Sequence, residues 1–186
     1  DIHLCPTKQA VLNLRAEGIR KNIYLVGNTI VDAFAHIITT YTIPDPIHTI
    51  IDSISLQKYY IVTLHRRENR GKLMKEMWDQ LNESIIKIPP QDYISMVFLI
   101  HHSSGIITDS GGLQEEAVCS KKKVLICRDT TERPETITSG WGKLIHTDII
   151  NNIHFLTNVS TIDTQKENPY GKQVCDKIIN IVKNNI

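Results

Sequence analysis

Residues 106–119 constrain the fold of this chain more than any other stretch. Ile106, Ile107 and Thr108 have the character of an apolar strand end, Asp109-Ser110-Gly111-Gly112 that of a turn, and Leu113–Cys119 that of a helix. Leu113 and Ala117 share one face at i, i+4 spacing, while Gln114, Glu115 and Glu116 occupy much of the rest. A strand that feeds a glycine turn at a helix start is suited to phosphate. The first helical amides have no intrahelical partner, the helix dipole places positive charge there, and glycine lets an anion approach the backbone. Glu115 or Glu116, one turn further on, is placed to accept hydrogen bonds from ribose hydroxyls. The plainer alternative is a turn with an N-cap, in which Ser110 satisfies the orphan amides.

The rest of the chain alternates in the same way. Pro6-Thr7 opens a helix that Gly18 stops, with Ala10, Val11, Leu14 and Ala16 on its apolar side. Ile23–Val26 is a short strand, and Gly27-Asn28-Thr29 leads into a helix over Ile30–Ile38, capped by Asn28 or Thr29. Residues 39–56, with Pro44 and Pro46, read as a connection. Tyr59–Leu64 is a strand that ends at His65-Arg66-Arg67-Glu68-Asn69. A helix then runs from Gly71 to about Ile88 with a core stripe of Leu73, Met74, Met77, Trp78, Leu81 and Ile85. After Pro89-Pro90, Ile94–Ile100 is expected to be another strand, and Val124–Cys127 a buried one. Lys143–His146 is a further short strand, Ile149–Leu156 a short helix, and Lys172–Val182 an amphipathic closing helix. The alternation predicts an α/β domain, Rossmann-like, with a mainly parallel sheet and helices on both faces.

Composition excludes several classes of function. The chain has 186 residues, 41% hydrophobic and 22% charged, which fits one globular domain with a core of its own. A formal charge of +1 leaves no electrostatic footprint for nucleic acid or an acidic membrane. No apolar run approaches the ~20 residues of a membrane span, and Asp1-Ile2-His3-Leu4 has no signal-peptide pattern. Cys5, Cys119, Cys127 and Cys175 are scattered without a C-x-x-C pair. They predict reduced thiols in a cytoplasmic protein and no metal site.

Two segments together carry a resemblance. TDSGGLQEEA (108–117), followed closely by RDTTERPE (128–135), resembles the paired signature of the non-hydrolysing UDP-N-acetylglucosamine 2-epimerases. PTKQAVLNLRAEGI (6–19), YLVGNTIVDA (24–33), VTLHRREN (62–69) and NPYG (168–171) agree with that family in order. The likeness covers the C-terminal half of a two-domain, glycosyltransferase-B-like enzyme. It implies that residues 1–186 form the nucleotide-binding domain, with the N-terminal domain absent and Asp1 just before the domain crossover.

The resemblance also implies chemistry. Such enzymes eliminate UDP to give a 2-acetamidoglucal and add it back after inversion at C2. They interconvert UDP-N-acetylglucosamine and UDP-N-acetylmannosamine without a cofactor, as homodimers. The histidine matching His65 lies at the catalytic centre and reaches the diphosphate. Ser110, Gly111 and Gly112 fall on the phosphates and Glu116 on the ribose. Arg133 and Thr131 are the choices within the second loop, with Glu132 holding Arg133. Arg128 is a further candidate, as is His101 or His102, matched to a family histidine whose following Asn-Pro is absent here. The C2 carboxylates of the family lie in its N-terminal domain. Family members also place about 30 more residues, one strand–helix unit that helps hold uracil, between Ile100 and Ile106. A hydrolysing epimerase and a non-catalytic UDP-sugar-binding module are the alternatives for the same nucleotide half.

Overall fold

The computed structural model describes residues 1–54, 58–81, 87–158 and 167–185. Two parallel sheets organise them. Strands β1 (His3–Cys5) and β2 (Ile23–Leu25) pair with each other, with His3 opposite Ile23. The larger sheet has the order β3 (Tyr60–Thr63), β4 (Gly105–Thr108), β5 (Val124–Ile126), β6 (Gly142–Leu144). Its register sets Tyr60 beside Gly105, Ile106 beside Val124 and Val124 beside Gly142.

Successive residues of the inner strands point to opposite faces, so each face gathers its own core. Ile106, Val124 and Ile126 pack with Phe34, Ile37 and Ile47, which come from α2 (Ile30–Thr40) and α3 (Asp45–Ile54). Val97–Ile100 of α5 (Tyr93–His102) and Leu113 and Ala117 of α6 (Gly111–Cys119) complete that face. Ile107, Leu125 and Cys127 turn the other way, onto Met77 of α4 (Lys72–Leu81) and Leu156 of α8 (His154–Thr157). The sheet therefore has helices on both faces. The remaining helices are α1 (Lys8–Ala16), the short α7 (Pro134–Thr138) and the closing α9 (Val174–Asn185).

Three expectations from the sequence are corrected. Ile94–Ile100 is not a strand but the body of α5. Asp92 caps it by accepting from the Ser95 amide (2.8 Å) and hydroxyl (3.1 Å). The segment lies between α2, α3 and α6, buried on nearly all sides, so its apolar run carried no helical period. Residues 39–56 are also more than a connection: residues 55–56 lie outside the described residues, and α3 occupies Asp45–Ile54. Pro46 sits in its first turn, where the missing amide costs little. The helix after Gly71 is described as far as Leu81; residues 82–86 lie outside the described residues, and Lys87 and Ile88 are not helical. β1 went unrecognised, being three residues at the chain start.

The ends of the described chain are tied together at NPYG. Tyr170 is fully buried, its carbonyl accepts from the Asn28 amide (2.8 Å), and its hydroxyl bonds Thr136 (2.6 Å). Gly27 makes this possible, with φ +101° and a missing Cβ that would stand 2.5 Å from the Tyr170 carbonyl oxygen. Gly27→Ala is expected to lose about 2–4 kcal/mol, combining left-handed backbone strain with overpacking. Urea unfolding reads this directly, and a loss below ~1 kcal/mol would mean that the NPYG turn moves aside.

Candidate functional site

Three loops meet at the carboxyl ends of β3, β4 and β5, the edge where open α/β sheets bind ligands. Asp109 holds them together. It is fully buried, and its carboxylate accepts from the His65 amide (3.0 and 3.1 Å), the Arg66 amide (2.9 Å) and Asn69 Nδ2 (2.9 Å). Asn69 also donates to the Cys127 carbonyl at 3.2 Å, which joins the third loop. The His65 ring then sits with Nδ1 3.5 Å from Asp109 Oδ1, its side chain 64% exposed. Arg66 is drawn away to Glu68, with Nε 2.5 Å from Oε1.

Beside this clasp, α6 begins. Ser110 occupies the cap position with extended backbone, but its side chain makes no capping bond. The Ser110 amide is instead turned inward, donating to Thr108 Oγ1 at 3.0 Å. Neither Gly111 nor Gly112 has positive φ, and an added Cβ at either would meet nothing within 4 Å. The space over the helix start is open, and the two glycines keep its backbone accessible.

The loop after β5 is braced from α6. Gln114, fully buried, donates from Nε2 to the Ser110 carbonyl (3.1 Å) and accepts from the Thr131 hydroxyl (2.7 Å). Thr131 Oγ1 in turn accepts from the Arg133 amide at 3.0 Å. The ion pairs differ from the expected ones. Arg133 is paired with the Glu115 carboxylate, Nε to Oε1 2.5 Å, and reaches Glu132 only at its backbone carbonyl, to which Nη1 donates at 3.3 Å. Glu132 instead grips Arg128 through two bonds of 2.7 Å, which raises the guanidinium and brings Glu132 down to about 2. Arg128, with both terminal nitrogens so engaged and its side chain only 7% exposed, braces the loop.

Glu116 is 8% exposed. Burial and the neighbouring Glu115 push its carboxyl up to about 7, against a smaller downward pull from the Tyr93 hydroxyl bonded to it. Glu115 is raised as well, chiefly by burial, while Arg133 and Asn28 oppose the shift. Asn28 Oδ1 also accepts from the Ile30 amide at 3.0 Å, so the loop before α2 is capped by Asn28 rather than Thr29.

Of the residues expected at a site, His65, Ser110, Gly111, Gly112, Glu116, Thr131, Arg133 and Arg128 are gathered here by the fold. His101 and His102 are not. They end α5 before β4 begins, and the Ser104 amide bonds the Tyr59 carbonyl at the start of β3. Both histidines are thus about 13 Å of strand away, at the opposite end of the sheet. With α5 a helix, the match to a histidine following a strand no longer holds. Asp109 and Gln114 were missed as organisers. Their signal was a charged and an amide side chain flanking a strand–glycine turn that leaves them no solvent.

A profile of the UDP-N-acetylglucosamine 2-epimerase family matches residues 1–84 and 70–183 in two overlapping pieces. The two pieces overlap at residues 70–84, and the second runs across Ile100–Ile106, where α5 leads into β4. The chain is 30% identical to the UDP-N-acetylglucosamine 2-epimerase of Escherichia coli K12, over 98% of its own length and 61% of the relative's. The fold superposes on UDP-GlcNAc 2-epimerase from Neisseria meningitidis bound to UDP-GlcNAc (28% identity, TM-score 0.82, 100% of this chain and 62% of that one). A Methanocaldococcus jannaschii UDP-GlcNAc 2-epimerase, in complex with UDP-GlcNAc and UDP, is similar too (28% identity, TM-score 0.80, 98% and 61%). The chain spans about three fifths of the length of these relatives. Profile, sequence and fold agree over nearly all of its residues: it belongs to the UDP-N-acetylglucosamine 2-epimerase family.

Proposed function

We propose that this chain is the UDP-binding part of an enzyme that interconverts UDP-N-acetylglucosamine and its C2 epimer by UDP elimination and re-addition. The observation that carries this is the open helix start of α6, uncapped by Ser110 and flanked by His65, Thr131 and Arg133. In elimination, negative charge grows on the departing diphosphate. Donors fixed beforehand stabilise that charge without reorganising, and here they are the Gly111 and Gly112 amides, the Ser110 hydroxyl and the His65 ring. Arg133 adds positive charge from the neighbouring loop. Glu116, when ionised, accepts from the ribose hydroxyls. The proton chemistry at C2 is assigned to the part of the relatives that this chain does not span. The intact enzyme is proposed to be a cytoplasmic homodimer; among the described residues no helix is long and apolar enough to cross a membrane.

Calorimetry with UDP and with pyrophosphate tests this. A Cβ at Gly111 meets nothing within 4 Å, so Gly111→Val is expected to project into the open space, weakening both ligands at this site while the melting temperature holds. Glu116→Ala is expected to weaken UDP by about tenfold or more and leave pyrophosphate at this site unchanged. Unchanged UDP binding to the Gly111 variant would move the phosphate site elsewhere. Equal losses of both ligands on Glu116→Ala would remove the ribose assignment.

A further inference from the structure

The four-stranded sheet has a second concave end. Where its strands begin, Lys58, His102, Lys121, Lys122, Lys123 and Trp141 line a cavity of about 350 Å³. The topology supplies one wall from each connection: Lys58 just before β3, His102 from the end of α5, the three lysines from the α6–β5 turn, and Trp141 just before β6. Among the described residues, no aspartate or glutamate lines it.

The lysine turn is built at a conformational cost. Lys121 has φ +55° at the position after the α6 cap, where glycine is the usual occupant. Its amide donates to the Val118 carbonyl (3.0 Å) and that of Lys122 to the Ala117 carbonyl (2.8 Å), closing the helix end. Neither bond needs a lysine side chain. Lys123 is almost wholly buried, its ammonium donating to the Asn158 carbonyl and lying 4.4 Å from the centre of the Phe155 ring. Burial pushes Lys122 and Lys123 down. His101 and His102 are pushed down by burial and further by the Lys122 charge. A bound anion would offset both the burial that disfavours charge on the two lysines and the Lys122 charge that bears on the histidines.

We propose that this cavity is a second anion site, at the opposite end of the sheet from the α6 helix start, and that it takes a small phosphate-bearing molecule. Lysine ammonium groups are compact phosphate ligands, and Ser104 on its wall adds a hydroxyl donor. Its volume is at the lower end for small-molecule sites, and Tyr60, Trp141 and Leu156 give it an apolar side. The ligand therefore carries an organic body beside the phosphate. Charge recognition is the part that can be tested with pyrophosphate as the probe.

The test uses the Gly111→Val chain, so that binding at the α6 end is suppressed. Pyrophosphate is expected to bind this chain one to one, moving the ring signals of His102 in NMR spectra and the emission of Trp141. Adding Lys121→Glu and Lys122→Glu should weaken that binding by about tenfold or more. Lys58→Glu, on the facing wall and outside any helix or strand, should act likewise if the double change disturbs the turn. Absence of binding in the Gly111→Val chain overturns the proposal. So does binding that survives both charge reversals, or that leaves His102 unmoved. UDP affinity is read separately, so failure of the nucleotide assignment does not decide this one.

Discussion

Asp109→Ala is expected to cost about 3–5 kcal/mol of folding stability. The carboxylate is fully buried and collects the His65 and Arg66 amides and the Asn69 side chain. Hydrogen bonds to a charged acceptor contribute ~1.5–3 kcal/mol each, and donors stranded in the interior cost their full desolvation. Alanine removes the acceptor and leaves all three donors behind. The damage extends to the site, since the same bonds fix the position of His65 and, through Asn69 and the Cys127 carbonyl, the loop after β5. UDP affinity should therefore fall with stability. Urea unfolding gives the first quantity and calorimetry the second. A loss below ~1 kcal/mol would show that water replaces the carboxylate and that the clasp does not organise the loops.

The clasp marks the boundary of what the sequence disclosed. The strand–glycine–helix unit at 105–119 was readable because each part has a local cause: an apolar run, a turn chemistry and a helix start. The convergence of His65, Ser110 and Thr131 followed from the α/β alternation, which brings strand ends to one edge. Ile94–Ile100 misled because a helix enclosed on nearly every side shows the same continuous apolar run as a buried strand. That error displaced His101 to the wrong end of the sheet. The pairing of Arg133 with Glu115, and of Arg128 with Glu132, had no local signature either. Glu115 is 18 residues from Arg133 in sequence, and only the packing of α6 beside the β5 loop makes it a nearer partner than Glu132.

Glu116→Gln is expected to stabilise the protein at pH 8 by about 3 kcal/mol while leaving stability at pH 4 nearly unchanged. The Glu116 carboxyl is held at about 7 in the folded chain, against an ordinary value of 4.5, by burial first and by the Glu115 charge second. The folded state thus binds this proton more tightly than the unfolded one. The resulting stabilisation is complete below about pH 4.5 and is lost as pH rises through about 7, at ~1.4 kcal/mol for each unit of difference. Glutamine is a neutral isostere and removes that dependence, apart from the smaller slope left by Glu115, which is also raised. The gain should come at the expense of binding, because an amide offers one acceptor oxygen where an ionised carboxylate offers two to the ribose hydroxyls. UDP should bind the variant more weakly at pH 8, with pyrophosphate affinity at the α6 end unchanged. Denaturant unfolding of both proteins between pH 4 and pH 8 decides the first half. Parallel curves across that range would mean that the Glu116 carboxyl binds its proton alike in the folded and unfolded chain, and its burial would then need a partner other than Tyr93.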